Sequence, residues 1–107
     1  MTTTQVQKLK ELSNRIESCE MKDVDKLIEL FKEVRELLMP YYVAGQTDDI
    51  TTLLYVLKES ETLLNYNLFD FIRISNPSQS LLTKFSNLKQ APLGRIKLLL
   101  LSNSQDN

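Results

Sequence analysis

The chain has 107 residues, of which 42% are hydrophobic and 25% are charged, a composition typical of one soluble globular domain. Its 13 basic and 14 acidic side chains give a net charge of −1, which argues against strong electrostatic binding to nucleic acid or to an anionic membrane. The absence of His and the single Cys exclude Ser-His-Asp and Cys-His nucleophilic sites, as well as His-ligated and multi-Cys metal sites. We therefore expect a non-enzymatic protein without a cofactor or metal ion.

The N-terminal residues are polar, and the longest apolar run, Leu98 to Leu101, is far shorter than the roughly 20 residues that cross a bilayer. With no second cysteine to pair with, Cys19 is typical of a buried thiol in a reducing compartment. These features predict an intracellular protein that does not insert into membranes.

Apolar residues recur every three or four positions in the first half of the chain and predict amphipathic helices. The first predicted helix covers residues 5–18, with Val6, Leu9, Leu12, Ile16 and Cys19 on one stripe. The second covers residues 24–38, with Asp23 and Asp25 at its N-terminus, where carboxylates are favourable. Pro40 and Gly45 predict a loop or a loosened final helical turn over residues 39–46.

A third helix is predicted to begin near Asp48, after the capping residue Thr47. Asp48 and Asp49 are adjacent, so their side chains diverge by about 100° around the helix, which suits capping rather than a shared proton or a cation. The sequence leaves two possible C-terminal ends for this helix. It ends at residue 58 if the polar stretch 58–62 is a break, or at residue 74 if one apolar stripe continues.

Ser78 can cap a helix over residues 78–90, and the stretch Ala91-Pro92-Leu93-Gly94 separates it from a last helix over residues 95–101. Residues 102–107 are expected to be disordered. The prediction is an all-α, up-down bundle of four to five helices in a single domain. The leucines near the end would cover all sides of a helix, so residues 96–101 either complete the core or form an oligomer interface.

Two further features bear on binding. Residues 1–61 carry eight basic and twelve acidic groups, whereas residues 62–107 carry five basic and two acidic groups. The C-terminal part therefore either has differently charged solvated faces or docks onto an acidic surface.

Tyr41 and Tyr42 follow Pro40, and we expect one ring to pack inward and the other to lie on the surface, where it could meet a peptide.

A family resemblance covers about residues 5–58. The stretches Val6-Gln7-Lys8-Leu9, Asp23-Val24-Asp25-Lys26-Leu27-Ile28-Glu29, Glu33-Val34 with Leu37, and Thr47-Asp48-Asp49-Ile50-Thr51-Thr52-Leu53 resemble the integrase-binding domain of lens epithelium-derived growth factor. More broadly, they are similar to the helical N-terminal domain of transcription elongation factor TFIIS. The later part departs from that family, because it has no Trp.

The resemblance implies a protein–protein interaction domain for short disordered peptide segments with aromatic and acidic residues, in transcription elongation or chromatin and hence in the nucleus. By position, Cys19, Glu20 and Met21 match the family's first partner-binding loop, and the region from Glu59 to Leu63 matches the second. An apolar pocket between two such loops would take an aromatic anchor.

Two other functions remain open. The continuous helix from Asp48 to Ile74 would resemble the GAT domains of vesicle-sorting proteins, which are helical adaptors, and would favour a cytoplasmic setting. A helix break near residues 58–62 would favour the transcription-type bundle instead. The Leu-rich end is also compatible with a structural subunit of an obligate helical assembly.

Overall fold

Helices account for most of the chain in the computed structural model, which describes residues 1–73 and 75–104. The α-helices are α1 (Thr3–Glu17), α2 (Val24–Leu38), α3 (Asp49–Tyr66), α4 (Leu68–Arg73) and α5 (Gln79–Ser104). Two 3₁₀ turns, Met21–Asp23 and Met39–Tyr41, precede and follow α2. The predicted all-α bundle is confirmed.

Local capping marks the start of α1 and the start of the 3₁₀ turn that leads into α2. The hydroxyl of Thr2 accepts the Gln5 backbone N–H at 3.1 Å, and the Gln5 side chain accepts the Thr2 N–H at 2.9 Å, which forms a capping box at the start of α1. Before α2, the Glu20 N–H donates to the Asp23 carboxylate at 3.1 Å. The bounds of both helices lie within two residues of those predicted.

Helix α3 begins where the carboxylate of Asp48 accepts the Thr51 N–H at 2.7 Å, and this hydrogen bond lowers the pKa of Asp48. It then runs through the polar stretch 58–62 to Tyr66 without a break. Both predicted ends, at residues 58 and 74, are wrong, because α3 ends at Tyr66 and the separate helix α4 follows it; Ile74 itself lies outside the described residues. The helix continues because Ser60 and Glu61 face the interior instead of marking a solvated loop.

The predicted interruption at residues 91–94 is also wrong, because α5 continues through Pro92 and Gly94. An internal Pro costs about 3 kcal/mol, and an internal Gly about 1 kcal/mol more. Leu93, Ile96 and Leu99 lie in the core, and burying three such side chains contributes roughly 5–9 kcal/mol. Burial therefore outweighs the helix-breaking residues. Residues 102–104, predicted to be disordered, extend α5, and residues 105–107 lie outside the described residues.

The core lies between α1, α2, α3 and α5. Helix α5 packs against α1 and α3, helix α2 packs against the same two helices, and α4 lies against the first 3₁₀ turn and α2. Phe71 of α4 meets Phe85 of α5 edge to face, with ring centroids 5.6 Å apart. Each of the four main helices therefore has neighbours on two sides, so no helix stands alone.

The basic C-terminal part meets the acidic N-terminal part at α1. Lys97 pairs with Glu17 at 3.0 Å, and the Lys89 ammonium donates to the Glu17 and Cys19 carbonyl oxygens, both at 3.1 Å. A lysine at the C-terminal end of a helix satisfies carbonyl groups that have no partner within the helix. The uneven charge distribution thus contributes to docking α5 within the chain.

Candidate functional site

The segment that the resemblance to the TFIIS-type domain assigns to a first binding loop connects α1 to α2, but most of it faces inward. Cys19 and Met21 are buried, whereas Glu20 is exposed and pairs with Lys22 at 3.6 Å. Burial, together with the negative charge of Asp23, raises the pKa of the Cys19 thiol. The raised pKa disfavours the reactive thiolate, and this segment offers a partner little apolar surface.

The second predicted loop does not exist. Glu59 and Leu63 lie inside α3, four residues apart, and both are exposed on its surface. The first 3₁₀ turn, which begins at Met21, packs mainly against α4 and α2. The predicted pocket between two interhelical loops is thus wrong, because the residues that would form its second loop belong to the continuous helix α3.

A different concave surface lies where α2 ends and α3 passes the second 3₁₀ turn. It encloses about 180 Å³, and we call it the tyrosine groove, lined by Arg35, Met39, Tyr42, Leu54, Tyr55 and Lys58. Met39 is 48% exposed and Tyr55 is 60% exposed, whereas Leu54 is buried and forms the floor. The groove therefore combines an apolar floor with exposed aromatic and thioether walls.

The chain around Pro40 places the two consecutive tyrosines on different sides. Pro40 lies in the 3₁₀ turn Met39–Tyr41, and the Tyr42 N–H closes this turn on the Met39 carbonyl at 3.0 Å. Tyr41 is half-buried and its hydroxyl donates to the Gln5 side chain of α1, whereas Tyr42 is exposed beside the groove. The predicted division, with one ring inward and one on the surface, is confirmed.

The two tyrosines of the groove support each other. The rings of Tyr42 and Tyr55 meet edge to face, with centroids 6.4 Å apart and an interplanar angle of 76°. Their hydroxyl oxygens are 3.3 Å apart, and the hydrogen bond with Tyr55 raises the pKa of Tyr42. This contact orients one wall of the groove before any ligand arrives, which reduces the conformational entropy that is lost on binding.

Arg35 is fixed in the same region by the buried carboxylate of Glu61. Its Nη2 donates to one carboxylate oxygen at 2.8 Å, and its Nε donates to the other. The hydrogen bond with Glu61 raises the pKa of Arg35. The arrangement is bidentate, so the guanidinium forms a rigid wall whose charge is largely neutralised.

Lys58 provides the groove with a different kind of cation. Its exposed ammonium forms no ion pair within 4 Å among residues 1–73 and 75–103. An exposed lysine that no acidic group neutralises attracts a carboxylate from a bound molecule. The groove therefore presents an apolar interior with positive charge at its rim.

The described residues contain no group of three or more His, Cys, Asp or Glu side chains that could hold a metal ion. Within the same part of the chain, no helix is both long and apolar enough to span a membrane. Comparison of the sequence with protein-family models found no match, and neither did comparisons with curated proteins and solved structures.

Sequence reasoning identified only Tyr42 among the groove residues as a possible binding residue. Arg35 belongs to α2, whereas Tyr55 and Lys58 belong to α3, and nothing in the linear pattern brings the two helices together. One signal was available: Tyr55 and Lys58 are three residues apart, off the buried stripe of Leu53, Leu54 and Leu57. An aromatic residue on the outer face of an amphipathic helix is a reasonable marker of a binding surface.

Proposed function

We propose that this protein is a non-enzymatic interaction domain whose tyrosine groove binds a short disordered peptide segment with an aromatic anchor beside acidic residues. The observation that carries the proposal is the meeting of an apolar floor, two mutually oriented tyrosine rings and an unneutralised lysine in one cavity. Hot spots of protein interfaces are enriched in aromatic and Arg residues that line well-packed pockets.

The chemistry of the partner follows from the lining. A Phe or Tyr side chain can rest on Leu54 and meet Tyr55 edge to face, as Tyr42 already does. A carboxylate next to that anchor can pair with Lys58. Arg35 uses Nε and Nη2 for Glu61, so its remaining N–H donors can serve a peptide carbonyl group.

The cellular setting is a separate part of the proposal. The continuous helix α3 across residues 58–62 supports the GAT-like adaptor of vesicle sorting over the transcription-type bundle, which would have a break there. A cytoplasmic setting follows from that choice, whereas a nuclear one would follow from the TFIIS-type resemblance. In either setting the domain acts by binding a linear segment of another protein.

A fluorescence-anisotropy titration tests the groove. The probe is a labelled, unstructured peptide with a central Phe between Asp and Glu residues, and a Phe→Ala peptide serves as its negative counterpart. We expect Tyr55→Ala and Lys58→Glu each to weaken binding at least about tenfold, which corresponds to about 1.4 kcal/mol.

Matched control variants separate the groove from general surface effects. Tyr66→Ala removes another exposed tyrosine of α3, and Lys26→Glu reverses another exposed lysine, in α2. Both should bind the probe within about twofold of the unaltered protein, since neither residue lines the groove. Equal losses in control and groove variants, or equal binding of the Phe→Ala peptide, would contradict the proposal.

A further inference from the structure

The outer face of α5 is apolar where a solvated helix would be polar. At 3.6 residues per turn, Gly94, Leu98 and Leu101 fall within an arc of about 60°, on the side opposite the buried Ile96. Leu98 is 66% exposed and Leu101 is 57% exposed. We call Ala91, Gly94, Leu98 and Leu101 the outer stripe. A helix that is apolar on both faces is normally covered on both faces.

The two edges of the outer stripe carry charges of both signs. On one edge, Arg95 and Asp49 line a cavity of about 260 Å³ together with Leu98 and Leu99. On the other edge, Lys97 lies 3.0 Å from Glu17. Each edge thus presents one acid and one base, so a partner of uniformly acidic or uniformly basic surface would meet repulsion on both edges.

We propose that the outer stripe binds the outer stripe of a second copy of this chain, with the two α5 helices antiparallel. A two-fold axis perpendicular to α5 places each edge of the stripe against the same edge of the partner. The edge with Arg95 and Asp49 then lies against the same edge of the partner, and so does the edge with Lys97 and Glu17. Because each edge carries both an acid and a base, the two copies can meet without placing charges of one sign along a whole edge.

The residue sizes along the stripe agree with a register in which Gly94 lies opposite the partner's Leu101. A Cβ atom built on Gly94 would meet nothing within 4 Å, so the space above this glycine is open. An exposed leucine of the partner can fill that space as a knob fills a hole. A single helix stripe is at the small end of specific interfaces, so the association is weak and depends on concentration.

Sedimentation equilibrium over a wide concentration range tests the association. The average mass should rise from the 12.4 kDa of one chain toward twice that value as concentration increases. Leu98→Lys should keep the chain monomeric throughout. Leu82→Lys, which alters another exposed leucine of α5 outside the stripe, should associate like the unaltered protein.

Disulfide trapping tests the antiparallel arrangement in a Cys19→Ala background. Seven residues along a helix span about 10 Å, beyond the roughly 7 Å that a disulfide bridges, so neither Gly94→Cys nor Leu101→Cys should cross-link with itself. A mixture of the two variants should form the mixed disulfide. A monomeric protein at every concentration, association of Leu98→Lys equal to that of the unaltered chain, or preferential self-cross-linking of Gly94→Cys would overturn the proposal.

Discussion

Arg35 and Glu61 join α2 to α3 through two hydrogen bonds and thereby hold two walls of the tyrosine groove in place. The Glu61 side chain is 7% exposed and the Arg35 side chain is 27% exposed, so the pair is largely removed from water. Their separation of 26 positions explains why the sequence pattern did not reveal the contact. The sequence pattern suggested that Glu61 belongs to a polar helix break, because local patterning cannot identify a buried charge whose partner lies on another helix.

Removing one partner of this pair should destabilise the protein strongly. Arg35→Met leaves a buried carboxylate without compensation, and we expect the free energy of unfolding to fall by about 3 kcal/mol. Arg35→Met combined with Glu61→Met should recover most of that loss, because the double variant buries no unpaired charge. Urea unfolding measures both changes.

The exposed pair of Lys97 and Glu17 gives the control for this prediction, since both side chains are about half exposed. Lys97→Met should change the free energy of unfolding by less than about 1 kcal/mol. A double variant as unstable as Arg35→Met alone would show that the lost stability comes from packing of the side chains and not from the unpaired charge.

At the scale of whole elements, α1 and α2 were predictable because capping residues and apolar periodicity agree with each other there. The continuity of α5 was not predictable, because Pro92 and Gly94 are local breaking signals, whereas the burial of Leu93 and Ile96 depends on α1 and α3. The tyrosine groove could not be predicted from the sequence for the same reason. Its residues come from two helices and a turn, and only the packed bundle brings them together.

Replacing each of the two glycines by Ala should change the stability of the protein in opposite directions. Gly94 lies inside α5 with open space around its Cβ position, so Gly94→Ala should stabilise the protein by about 0.5–1 kcal/mol. Gly45 has φ of +82°, a conformation that costs other residues about 1–2 kcal/mol, so Gly45→Ala should destabilise it. Thermal unfolding at low micromolar concentration measures both effects on the monomer. A loss of stability in Gly94→Ala would indicate a close approach at that position which the bundle does not show.

For the whole molecule, the core extends from α1 at one end of the chain to α5 at the other. Phe85, Leu93, Ile96 and Leu99 supply the α5 part of it. Fully burying four such side chains contributes roughly 6–12 kcal/mol, which is comparable with the entire stability of an ordinary domain, about 5–15 kcal/mol. We therefore expect the remaining helices not to fold cooperatively without α5.

Truncation of the chain tests this dependence. A variant ending at Asn76 lacks α5 and should lose its cooperative thermal transition by far-UV circular dichroism, since α1 and α3 would expose the surfaces that α5 covers. A variant ending at Asn103 keeps the core residues Phe85, Leu93, Ile96 and Leu99 of α5 and should retain the Tm of the full chain. A sharp, reversible transition in the shorter variant would mean that residues 1–76 form a core of their own. In that case α5 would be an element appended to that core rather than a part of it.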